Sequence, residues 1–79
     1  MELKIKTGDY ILFRDSFKQN HIGIITKVSE KNEFHVVVKY TSGISMLNTV
    51  RITNANIDYI FDKKPNFKTI EYDYPDFFI

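Results

Sequence analysis

The chain has 79 residues, no cysteine and a formal net charge of +1, so it makes at most one domain, held by its core rather than by disulfides or thiolate-bound metal. Its pI of about 8.0 sets it apart from dedicated nucleic-acid binders, whose domains usually exceed about 9. No apolar run approaches the roughly 20 residues of a membrane-spanning helix.

Residues 1–6 alternate charged and apolar side chains, with Leu3 and Ile5 on one side. That stretch lacks the apolar run of a signal peptide, so a soluble cytoplasmic protein is expected. Thr7-Gly8-Asp9 predicts a turn, because Gly permits positive φ and Asp bonds nearby backbone. Tyr10 to Phe13 reads as a continuous apolar strand, and Arg14 to Asn20 as a longer polar loop anchored by Phe17.

His21 to Val28 is the second strand, with Ile22, Ile24, Thr26 and Val28 on one face. Gly23 inside it points to a bulge, a bend or a close backbone approach. Residues 29–32 form a connection of hairpin length. Glu33 to Tyr40 is the third strand, with Phe34, Val36, Val38 and Tyr40 facing opposite to His35, Val37 and Lys39. After a turn at Thr41-Ser42-Gly43, Ile44 to Ile52 predicts a fourth strand. Thr53 to Asn56 predicts one capped helical turn, and Ile57 to Phe61 a fifth strand. Pro65 ends the strand pattern. The aromatic and acidic remainder sets a boundary: a barrel over residues 1–62, and a tail or extra strand over 63–79.

Short strands with tight turns and no crossover helices predict an all-β antiparallel sheet curled on itself into a five-stranded barrel. The run Gly8 to Phe13, then Gly23 to Val28, Val36 to Tyr40, the turn at Asn54–Asn56 and the closing strand resembles SH3-like small barrels, including Tudor and KOW modules. That resemblance covers residues 7–61. It implies binding of peptides, modified side chains or nucleic acid rather than catalysis. A narrower stretch, Gly8 to Phe13 followed by Asn20-His21-Ile22-Gly23-Ile24, is similar to the C-terminal half of NlpC-type and CHAP cysteine peptidases. There His21 would be the catalytic histidine. Such enzymes need a cysteine thiolate, and this chain has no cysteine. A remote likeness to barrel toxins of the MazF and CcdB type rests on the same Gly-Asp strand.

His21 and His35 are the only histidines, and their spacing suggests no metal site; no cofactor is expected. Asp9, Asp15, Glu30 and Glu33 sit in turns, where acidic residues serve backbone bonding. Tyr10, Phe13, Phe34 and Tyr40 have the composition of an aromatic cage for methylated cations.

Two surfaces remain. If Ile22, Ile24, Phe34, Val36 and Val38 fill the barrel, then Ile25, Val37, Leu47 and Ile60 point outward, and that patch needs a cover. The tail, a second copy or a partner protein would serve, and Tyr72, Tyr74, Phe77 and Phe78 give the tail aromatic anchors among carboxylates. The expected function is a non-enzymatic protein-interaction module using these eight residues, of the kind phages and mobile elements encode as inhibitors or adaptors. The alternative is nucleic-acid binding through Arg14, Lys18, Lys27, Lys39 and Arg51, with Tyr10, Phe17, His35 and Tyr40 between them.

Overall fold

The alternating pattern folds into five antiparallel strands: β1 (Tyr10–Arg14), β2 (Asn20–Val28), β3 (Glu33–Thr41), β4 (Thr49–Thr53) and β5 (Ile57–Phe61). A computed structural model describes residues 5–29, 32–42 and 48–78. Strands β4 and β5 are joined by a 3-10 turn at Asn54–Asn56. The Thr53 backbone N–H donates to Asn56 Oδ1 at 3.1 Å, and the Asn56 side-chain amide donates to the Arg14 carbonyl at 3.2 Å. The predicted start of the fourth strand, including Leu47, and the expected strand residue Leu3 lie outside the described residues.

Strand order is β4-β3-β2-β1-β5. The sheet is not closed, because β4 and β5 are its two edges. Each face follows from the register. Gly23 pairs with Val38, Ile25 with Val36 and Phe34 with Ile52. These positions share the inner face with Ile11 and Phe13, where Ile11, Phe13, Ile25, Phe34, Val36 and Ile52 form a buried core. Ile5, Val38, Val50, Ile57 and Ile60 pack against it. Leu12 pairs with Ile22 and with Tyr59, placing these residues on the outer face.

Two expected outward residues are therefore corrected. Ile25 lies in the inner core, and Ile60 packs against it. Conversely, Ile22, expected inside, lies in the outer cluster. Alternation defines two faces on each strand, but not which face of β2 meets which face of β3; a one-residue slip exchanges them. Bulges then change the phase along a strand. Ile22 pairs with Tyr40 and Gly23 with Val38, leaving Lys39 extra on β3. That is why Val38 packs inward while Tyr40 joins the outer cluster. Thr26 is similarly extra on β2, between Ile25 opposite Val36 and Lys27 opposite His35.

Gly23 sits where two strands approach closely. A Cβ there would strike the Val36 side chain and stand 2.8 Å from the Val37 carbonyl oxygen. Of the expected reasons for this glycine, close approach is the one the packing enforces.

The tail adopts helical turns rather than an extra strand: helix α1 (Ile70–Asp73) and a 3-10 turn at Pro75–Phe77. It lies on the outer face. Ile70 is buried with Leu12, Ile22 and Phe61, while Phe67, Tyr74, Phe77 and Phe78 pack around them with Tyr10 and Tyr40. Aromatic pairs fix the contact. Phe61 meets Tyr74 edge-on at 5.1 Å, Tyr40 meets Phe78 edge-on at 5.7 Å, and Tyr59 meets Phe77 at 5.2 Å. The Asn20 side-chain amide donates to the Phe77 carbonyl at 2.6 Å, tying the tail to the start of β2.

Candidate functional site

The loop between β1 and β2 is shorter and stiffer than its polar composition suggests. Asp15 N–H donates to the Gln19 carbonyl at 3.1 Å, and Lys18 N–H donates to the Asp15 carbonyl at 3.0 Å. This closes a tight hairpin with Lys18 at φ 63, the left-handed position such a loop requires. Asp15 Oδ1 accepts from the backbone N–H groups of Phe17 at 2.8 Å and Gln19 at 2.9 Å. Its other oxygen, Oδ2, lies 2.8 Å from His21 Nε2.

His21 is 0% exposed. Its ring stacks on Phe13 at 5.2 Å, and Nδ1 lies 2.9 Å from Thr41 Oγ1. A carboxylate only accepts, so Nε2 carries the proton donated to Asp15, while Nδ1 shares a hydrogen bond with the Thr41 hydroxyl. The hydrogen bond from His21 is the main reason the Asp15 carboxyl is held below its ordinary value; the two backbone N–H donors add to this, while burial opposes it. The histidine that opens the second strand is thus a sealed tie joining the hairpin loop to β2 and β3. Both ring nitrogens are engaged and no face is open to a substrate. Sequence reasoning missed Asp15 and Thr41 as its partners. The available signal was Asp15 opening a polar turn, a position where Asp bonds local backbone.

The other sequence candidates separate. The proposed cage does not assemble: Phe13 and Phe34 belong to the inner core, Tyr10 and Tyr40 to the outer cluster. Burial pushes the Tyr40 phenol upward, and the neighbouring Glu71 carboxylate adds to it. Among the partner-binding set, Tyr74, Phe77 and Phe78 are half-buried on their own sheet, and Val37 is half-buried on β3. Tyr72 alone of the tail anchors stays open, at 88% exposure.

Among the basic residues, Arg14 is paired with Asp58 at 3.6 Å. Lys18 caps the hairpin, and Lys39 is the extra residue of the β3 bulge. Lys27 and Arg51 come together through His35: Lys27 pairs with His35, and His35 with Arg51. The three form one row across β2, β3 and β4 on the outer face. Among the described residues, no cluster of three or more His, Asp or Glu side chains suits a metal ion, and no helix is long and apolar enough to cross a membrane.

Phe17 was expected to anchor its loop, yet it is 84% exposed at the hairpin tip. Beside it opens a cleft of about 350 Å³ at the seam between the hairpin and β4. Phe13, Val50 and Ile52 line it with apolar surface; Asp15, Ser16, Arg51 and Asn56 supply polar groups. The chain matches no protein-family model, no curated protein and no solved structure.

Proposed function

We propose that the chain is a non-enzymatic protein-interaction module built on an SH3-like scaffold, and that it binds at the seam beside the β1–β2 hairpin. The scaffold reading is supported by the strand order, with β1 between β2 and β5, and by the 3-10 turn joining β4 to β5. The binding reading rests on one observation: a large aromatic side chain, Phe17, stands exposed at the tip of a hairpin that Asp15 and His21 hold rigid. Phe17 and Tyr72 are the most exposed large hydrophobic side chains among the described residues, and Phe17 lines a cleft. A preorganised anchor beside a cleft with apolar lining and polar groups has the anatomy of an interaction hot spot. An inhibitor or adaptor acting by occupancy needs nothing more.

This moves the contact surface away from the tail. Tyr74, Phe77 and Phe78 are used in covering the outer sheet, so they reach a partner only if the tail lifts. The test is a pull-down with wild type, Phe17→Ser and Tyr72→Ser, read by mass spectrometry. A protein captured by wild type and Tyr72→Ser but lost with Phe17→Ser supports the seam. Capture that survives Phe17→Ser and fails with Tyr72→Ser returns the function to the tail.

A further inference from the structure

The outer face of the sheet is divided. Its β5–β1 side, with the start of β2 and the end of β3, is apolar and covered by the tail. Its β2–β3–β4 side carries the row Lys27, His35 and Arg51. On one flank stand Ile24, Val37 and Thr49; on the other, Glu33 pairs with Thr53. Lys27 and Arg51 are exposed. The ion pairs of Lys and Arg among the described residues are Lys6–Asp9 and Arg14–Asp58, so none neutralises this row. Glu33 is the one carboxylate in the adjoining cross-strand pairs.

Lys27 and Arg51 stand two strands apart on one row, each directly opposite His35, so two exposed cations flank an imidazole. We propose that this row binds the phosphate backbone of single-stranded nucleic acid, at a site that shares Arg51 with the seam. Neighbouring strands lie about 4.8 Å apart, so the row spans about 10 Å. Clefts of about 400 Å³ and about 410 Å³ flank Arg51; Thr26 and Thr49 line the first, and Thr53 lines the second together with Glu33. Threonine hydroxyls donate to phosphate oxygens as readily as they do to protein. Arg51 also lines the seam cleft with Phe17. The path from Lys27 to Arg51 passes the His35 imidazole.

Basic side chains interleaved with aromatic platforms suit a strand whose bases are unpaired and can stack. Duplex DNA is disfavoured, because the row offers no protruding helix or ribbon to enter a groove. An acidic peptide would answer the charge but leave the His35 ring unused.

The test is fluorescence anisotropy of the full chain with labelled oligothymidylate and oligouridylate. Two phosphate contacts, from Lys27 and Arg51, give a salt slope of about −1.4, and hence about a sevenfold loss of affinity between about 50 and 200 mM salt. Lys27→Glu/Arg51→Glu, and the milder Lys27→Gln/Arg51→Gln, should abolish or cut binding at least tenfold while retaining the wild-type circular dichroism spectrum. Lys63→Glu/Lys64→Glu makes the same charge change on two exposed linker residues and should leave binding unchanged. No binding at low salt overturns the proposal. So does an equal loss in the linker variant, which would reduce the effect to net charge. Duplex binding as tight as single-strand binding, or equal competition by polyglutamate, overturns the assignment to single strands.

Discussion

Ile70 is the side chain on which tail docking depends. It is 1% exposed, packed among Leu12, Ile22 and Phe61, and it is the only tail residue in that buried set. Ile70→Ala removes three carbon groups at about 0.8 kcal/mol each and leaves a cavity, giving a loss of about 3 kcal/mol. A domain of this length has about 4–12 kcal/mol of stability in total, so the loss is a large share of it. The melting temperature should fall by about 12 °C or more. Tyr72, two residues on but 88% exposed, provides the control: Tyr72→Ala should change stability by no more than about 0.5 kcal/mol. Thermal melts followed by far-ultraviolet circular dichroism, with near-ultraviolet tyrosine signals and dye binding, separate two routes. Global destabilisation lowers the single transition. Undocking of the tail alone exposes the aromatic outer face, raises dye binding at low temperature and weakens the tyrosine signal. Either result agrees with a docked tail. An Ile70→Ala variant indistinguishable from Tyr72→Ala by all three measures would refute the docking.

The Asp15 carboxyl titrates below its ordinary value of 3.8, so the folded state holds its proton less tightly than the unfolded chain. Its stabilisation is fully present above that value and is lost as pH falls through the lower folded-state value. Asp15→Asn should cost about 1–3 kcal/mol at neutral pH and flatten this acid limb in denaturation curves; an unchanged limb would place the pH sensitivity elsewhere. Gly23→Ala should destabilise by about 1–3 kcal/mol or more, because the new methyl meets the Val36 side chain and a backbone oxygen, and a wild-type denaturation midpoint would contradict the close packing. Lys18→Gly should stabilise by up to about 1 kcal/mol, since it relieves a positive φ at some entropic cost in the unfolded chain. A lower melting temperature for that variant would show that the lysine side chain itself holds the loop.

Local signals carried the strands. Tyr10 to Phe13, His21 to Val28, Glu33 to Tyr40 and Ile57 to Phe61 were legible because β-branched and aromatic runs broken by turn residues have few other uses. The single turn after Thr53 was legible from its capping residue, whereas the outward apolar patch was counted on the wrong residues, since Ile25 and Ile60 face inward. What the sequence by itself could not determine was which face was which. Ile25 reads like Ile24 until pairing with Val36 assigns it inward, and Tyr40 reads like Val38 until the extra Lys39 reverses it. Pairing register and bulges are relations between strands, so no single strand encodes them. The same holds for the candidate sites. His21 meets Asp15 and Thr41 only when the hairpin closes, and Lys27, His35 and Arg51 become one row only when three strands align. Composition supplied the aromatic tail, while tertiary packing spent it on the chain's own sheet, because the apolar outer face of β1, β2 and β5 gains more from cover than from water.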